Sequence, residues 1–185
     1  MAIRPIVKMG HPTLKLIAAP VSDATAPEVV DLVADMRDTL EDIGGAGLAA
    51  PQIDVSLRVV VYRIAKDRIP DGARQQPLDW TVLINPEVTP LTVERQRIWE
   101  RCLSIPDIYC QVPRYTRVRV DYLTLQGQRQ SREAVGFHAM VLQHECDHLD
   151  GILNPMRMDD LSQMSYASEF VKDGNIYRYK AEEFD

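Results

Sequence analysis

Apolar positions follow two different periods along this chain. In "SDATAPEVVDLVADMRDTLEDIGGAG" (22–47), Val29, Val33, Met36, Leu40 and Ile43 recur at alternating spacings of four and three. That spacing places them on one face of an amphipathic helix. Thr25 and Glu28 have capping-box spacing at its start, and Gly44 stands where a stop is expected. Three runs are strand-like instead: "RVVVYRI" (58–64), "TVLINPEV" (81–88) and "RVRVDYLTL" (117–125), the last followed by a turn signal at Gly127. Between the first two, "AKDRIPDGARQQPLDW" (65–80) is polar with two prolines and reads as a surface loop. A second helix is expected from Gly136 to Leu149, with Gly151 as its stop. Strands around one buried helix, without strict strand–helix alternation, predict an α+β fold. The expectation is antiparallel or mixed strands packed around that central helix, with the amphipathic helix N-terminal to them.

The length of 185 residues suggests one domain, 1–185, since domains typically hold about 100–200 residues. Its last part, 159–185, has only a weak helical pattern before "DGNIY". Apolar content of 45% and charged content of 26% are those of a globular chain. The net charge of −6 argues against nucleic acid or an anionic membrane as the main partner. No run approaches the ~18 consecutive apolar residues of a membrane span. The start, "MAIRPIVKMG", has neither a signal h-region nor an Arg/Ser-rich transit helix. Three cysteines, an odd number, do not suggest a disulfide framework. A reducing, cytoplasmic setting is expected.

Chemistry enters at the end of the second helix. "QHECDHLDG" (143–151) carries acids and imidazoles into a segment preceded by the apolar "VGFHAMVL". His144 and His148 are four residues apart, a rotation of about 400°, so they share a face one turn apart. Two imidazoles so placed can reach one divalent metal ion. Glu145 is offset by one residue, near enough to touch a metal-bound water. H-E-x-x-H on a helix therefore reads as two ligands and a general base, the metal lowering the pKa of its water toward about 7. A chance pattern is the bland alternative, weakened by the apolar run before it.

A third ligand is required. In the extension of the motif past Gly151, the ligand position holds Asn154, a poor metal ligand. Glu169, in "SYASEFVKDG", lies about where some hydrolases of this type take a downstream glutamate. Cys102, in "WERCLSIPD", offers a thiolate suited to zinc or ferrous iron, although most isolated cysteines are small buried hydrophobes.

Three motifs together carry a resemblance. Gly45-Ala46-Gly47-Leu48-Ala49-Ala50-Pro51-Gln52, Glu100-Arg101-Cys102-Leu103-Ser104 and Gln143-His144-Glu145-Cys146-Asp147-His148 stand in this order. The chain resembles the peptide deformylase family, which removes the formyl group from N-formylmethionine on new polypeptides. The likeness extends from "GHPTL" to "NPMRM". The second motif departs at one position, Arg101, where the family pattern has glycine; an arginine there would be strained in a left-handed conformation or crowd the groove, or, with ordinary backbone, simply point to solvent.

The resemblance implies a metal held by Cys102, His144 and His148, ferrous iron by family habit, with zinc or nickel as replacements. Glu145 would accept the proton of the attacking water and pass it to the leaving amine. Gln52 and the backbone N–H of Leu103 would donate to the oxyanion; the bland reading of Gln52 is a loop amide capping backbone groups. Phe137, Met140 and Val141 share the face of His144. By resemblance they line a methionine pocket with Ala46 and Ile98, though core packing is the default for any one alone. Gly45 and Gly47 would let the backbone approach an extended peptide, paired as an added strand. Glu100 and Arg114 would brace the cysteine loop as a surface ion pair, with Asp147 joining them. His138 is expected to be a partly exposed helix residue, and Cys110 and Cys146 non-ligands. The implied partners are N-formylmethionyl nascent peptides, met at the ribosome exit, with no nucleic acid and no membrane. Two rivals remain: a zinc peptidase with Glu169 as third ligand, and a non-catalytic relative binding formyl peptides or ribosomes because Arg101 blocks the groove.

Overall fold

A computed structural model describes residues 2–69 and 71–170, with the backbone alone at 170. Helix α1 (Pro27–Ile43) is followed by β1 (Gly47–Ala49), β2 (Val59–Ile64), β3 (Leu78–Pro90), β4 (Arg95–Cys102), β5 (Ile105–Tyr115), β6 (Arg117–Leu123) and β7 (Arg129–Val135). Helix α2 (Gly136–Leu149), β8 (Met164–Tyr166) and the short α3 (Ala167–Phe170) complete the order. The strands form two sheets, β1-β2-β3-β6-β7 and β4-β5-β8, with every strand pairing antiparallel.

Strand β2 explains why its sequence is apolar at almost every position. Val60, Tyr62 and Ile64 join the core beneath α2, while Val59 and Val61 join a second core beneath α1. A strand covered on both faces cannot alternate apolar with polar. Helix α2 packs against strands of both sheets, and every residue from Phe137 to Leu149 is buried. A helix buried all round needs partners for its polar groups, and those partners define the site below.

Several expectations are corrected in detail. Helix α1 has no capping box: Ala26 is the N-cap, Pro27 opens the first turn, and Thr25 hydrogen-bonds Asp23 instead. Leu32 is buried, whereas Ile43, in the last turn, is exposed. Gly44 does end the helix, at φ 75° with its N–H on the Leu40 carbonyl. The loop expected over 65–80 gives up its last residues to β3, which starts at Leu78. Gly151 has φ 71°, and a Cβ there would lie 2.8 Å from the Lys15 carbonyl, so both the turn and the packing require glycine. Of the segment 159–185, the described part pairs with β5 through β8, Cys110 facing Met164 and Ile108 facing Tyr166. The "DGNIY" stretch lies outside the described residues.

Candidate active site

The β4–β5 hairpin and helix α2 bring the second and third motifs together. The register between these strands shifts between Arg101 and Cys102, so Arg101 faces Tyr109 while Cys102 faces Ile105. Cys102 keeps the buried alternation of β4 through this shift, on the same face as Ile98 and Glu100. The ligand atoms of Cys102, His144 and His148 lie within 4.8 Å of one another, and all three residues are buried. In tetrahedral coordination, sulfur at ~2.3 Å and nitrogen at ~2.0–2.1 Å from the metal stand about 3.6 Å apart. Cys102 Sγ and His148 Nε2 are 3.4 Å apart, so the donor set fits a divalent metal. Glu169 is not part of this group; it sits exposed on α3. That removes it as the third ligand.

The orientation of His144 is set from behind. Its Nδ1 is 2.8 Å from Glu100 Oε2, which leaves Nε2 for ligation. Arg114 grips Glu100 with Nε at 2.6 Å and Nη2 at 3.0 Å, and its Nη1 donates to Asp147 at 2.6 Å. Asp147 also accepts from Arg157 at 2.7 Å. This is not the surface pair expected: the Glu100 side chain is 0% exposed and that of Arg114 5%. Burial alone would raise the Glu100 pKa, but Arg114 and the His144 hydrogen bond outweigh it and hold it at about 2. For His144, burial is likewise outweighed, by Cys102 and Glu100, and its pKa is raised. His148 is lowered by burial, reinforced by His144 and Arg114.

Glu145 lies against the edge strand β1. Its Oε2 is buried with no hydrogen-bond partner among the described residues. Burial raises its pKa to about 7, near the working range of a general base. Gly47 makes room for it: a Cβ there would lie 2.7 Å from Glu145 Cδ. A Cβ on Gly45 would meet Leu40 Cδ1. A side chain at either glycine would therefore collide with the protein's own side chains, and both glycines line the cavity described below.

Gln52 caps a backbone group of its own loop with one end and turns the other toward the cysteine loop. Its Oε1 accepts the Ala49 N–H at 2.9 Å, which points Nε2 toward Cys102 Sγ at 3.7 Å and Ser104 Oγ at 3.4 Å. The N-terminal segment ties this loop to the cysteine loop. Val7 N–H donates to the Gln52 carbonyl, Met9 N–H to that of Ser104, and Lys8 Nζ to that of Leu103. These crossings join residues far apart in sequence, and no local pattern announces them.

A cavity of about 870 Å³ opens over these groups. Ala46, Gly47, Gln52, Cys102, Leu103, Phe137, Met140, Val141, His144 and Glu145 all line it. Ile98 does not; it is buried in the core under α2. His138 is buried rather than partly exposed, with Nε2 3.1 Å from the Tyr62 hydroxyl. Cys110 and Cys146 are buried and outside the ligand group, and burial raises both thiols, Cys110 to about 11. Arg101 is not in the left-handed region, and its exposed side chain lies over the Tyr109 ring. Strain at this position is thereby removed.

A buried Cys/His/His set, braced by a carboxylate behind and flanked by an unpartnered carboxylate in a groove, defines a metal-dependent hydrolase. The family model of polypeptide deformylase matches residues 3–164, and the chain belongs to that family. The chain is 48% identical to Peptide deformylase 1 of Nitrosomonas europaea over 165 residues, covering 89% of this chain and 92% of that protein. It is 47% identical to Peptide deformylase 2 of Ralstonia nicotianae, with the same coverage. Among solved structures, the Met-Ala-Ser-bound class I type b peptide deformylase from Acinetobacter baumannii has a TM-score of 0.78 at 39% identity, covering 85% of this chain and 99% of that one. The actinonin complex of peptide deformylase from Ehrlichia chaffeensis has a TM-score of 0.79 at 29% identity, covering 88% and 92%. Among the described residues, no helix is long and apolar enough to cross a membrane.

Proposed function

We propose that this protein removes the N-formyl group from formylmethionine at the start of newly made polypeptides, releasing formate, through one catalytic domain spanning 1–185. The observation that carries the reading is Glu145: a buried carboxylate with an unpartnered oxygen beside a three-donor set, at the floor of a groove. Cys102, His144 and His148 would hold the metal, ferrous iron by family habit, with zinc or nickel compatible with the same donors. When bound, that ion supplies Lewis-acid polarisation and a water activated at neutral pH.

The remaining work falls to side chains. Glu145 takes a proton from the attacking water and delivers it to the amine nitrogen as the formyl C–N bond breaks. Gln52 Nε2, aimed by Ala49, and the Leu103 N–H donate to the oxygen that gains charge at the formyl carbon. Ala46, Phe137, Met140 and Val141 receive the methionine side chain. The peptide main chain runs beside β1, whose outer edge bears no strand among the described residues. Glu100, Arg114 and Asp147 act through His144, fixing its ring. The substrates we assign are formylmethionyl nascent chains met in the cytoplasm at the ribosome exit, with no part for nucleic acid or membrane.

Formate release from formyl-Met-Ala-Ser by anaerobically prepared, iron-loaded protein tests the reading. Turnover by the native protein and its loss in Glu145→Ala, with one metal still bound per chain, is the expected pair of results. Metal bound without turnover in the native protein would instead favour a formyl-peptide-binding role.

A further inference from the structure

Among the cations of the groove, one has a side chain with no hydrogen-bond partner among the described residues. Lys8, Arg68 and Arg101 all line the cavity. Lys8 donates to the Leu103 carbonyl and Arg68 to that of Gly44. The Arg101 side chain makes no hydrogen bond or ion pair among the described residues; its guanidinium carbon lies 5.4 Å from the Tyr109 ring centroid. Cross-strand pairing of Arg101 with Tyr109 at the last regular position before the bulge fixes the root of the side chain beside Cys102. Stacking on the ring limits its sweep while leaving the edge N–H groups free to donate. Asp67, Asp71 and Asp107 line the same cavity, so the groove as a whole is not basic. Lys8 and Arg68 keep their charge but are held to backbone carbonyls, so among the described residues Arg101 is the groove cation whose side chain has no hydrogen-bond partner in the protein.

We propose that Arg101 is a specificity-determining residue that reads a carboxylate on the peptide just beyond the formylmethionine. The inference rests on the deformylase reading. A guanidinium offers paired donors that match a carboxylate, and in a groove for many sequences it selects by charge without blocking neutral substrates. The carboxylate belongs either to an acidic side chain or to the free C-terminus of a short peptide.

The test measures kcat/KM of the metal-loaded enzyme on formyl-Met-X-Ser amides with X = Asp, Asn or Lys, and on formyl-Met-Ala-Ser as free acid and as amide. The native enzyme should prefer Asp over Lys by about three- to tenfold at low salt, with the ratio shrinking toward one at about 0.5 M salt. Arg101→Gly should abolish the ratio, Arg101→Lys should keep part of it, and Arg101→Glu should reverse it. A preference confined to the free acid over its amide assigns the α-carboxylate as the group read. Binding of Met-Asp-Ser amide against Met-Lys-Ser amide, followed by calorimetry, reads the same selection without turnover. Equal ratios in the native enzyme and Arg101→Glu overturn the proposal, as does a native preference for Lys, which would give the field to the three aspartates. Charge-selective binding with no formate release from any substrate would sink the deformylase reading and leave Arg101 as a carboxylate-reading residue.

Discussion

Arg114→Met should destabilise the protein far more than the loss of an ordinary arginine. Its guanidinium sits between Glu100, with a side chain 0% exposed, and Asp147, at 10%. Without it, Glu100 retains only the His144 hydrogen bond. Breaking a buried pair by removing one partner costs about 3–5 kcal/mol. The titration of Glu100 gives a second measure: held at about 2 in place of 4.5, it carries about 3 kcal/mol of stability at ~1.36 kcal/mol per unit. The folded pKa is depressed, so this stability is present above pH 4.5 and is lost as pH falls through about 2. With a urea dependence of about 2 kcal/mol/M, the unfolding midpoint at neutral pH should drop by about 1.5–2.5 M. The gap between native and variant should narrow as pH falls below 4.5. Glu100→Gln combined with Arg114→Met should recover part of the loss, since no uncompensated carboxylate then remains at Glu100. Metal affinity should fall by up to about 10–100-fold, because the carboxylate that orients His144 is no longer held in place by Arg114. A neutral-pH loss under about 1 kcal/mol, the upper end for a surface pair, or a gap that ignores pH, would refute the argument that this is a buried network.

Three further outcomes are expected. Gly47→Ala forces a Cβ against Glu145; stability should fall by about 1–3 kcal/mol, and kcat should drop at least about tenfold through a displaced base. Unchanged turnover would show that Glu145 has room to move. His138 is neutral in the fold, lowered to about 4 by burial and then by Arg132, from 6.5. Its folded pKa is depressed, so up to about 3 kcal/mol of stability is lost as pH falls from 6.5 to about 4. His138→Gln, which keeps an acceptor for the Tyr62 hydroxyl, should flatten unfolding free energy across that window relative to the native protein; identical slopes count against it. Ala46→Ile should narrow the cavity and lower kcat/KM for formyl-phenylalanyl peptides more than for formyl-methionyl ones, and equal losses would remove Ala46 from the pocket.

The helices were legible because each satisfies one rule over many residues. Helix α1 shows a single apolar face, and α2 an apolar run ending in His144 and His148. The β4–β5 hairpin was not read, although it alternates properly: Ile98, Glu100 and Cys102 are the buried positions of β4. A charged residue at the centre of the buried set hides the period, and Glu100 is there because His144 needs it. Strand β7 left no signal for a different reason. It closes one edge of the larger sheet and buries only Ala134, so its sequence "RQSREAV" carries no apolar alternation.

The same division runs through the site. Residues within one helix or one motif could be grouped by spacing; the bonds that aim them could not. Glu100 reaches His144 across 44 positions, and Gln52 faces Ser104 across 52. Arg114 was expected to pair with Glu100 at the surface, yet it is the buried hub between that carboxylate and Asp147. A buried guanidinium is tolerable only when its donors are paired, and here three charged bonds meet that need. That explains why a helix buried along its length can hold imidazoles and two carboxylates. The first carboxylate, Asp147, is neutralised by arginines. The second, Glu145, is left without a partner beside the Cys/His/His donors. The asymmetry between two carboxylates on one helix sets an acid fixed by ion pairs beside one that no ion pair holds, which is the difference the proposed general-base role of Glu145 requires.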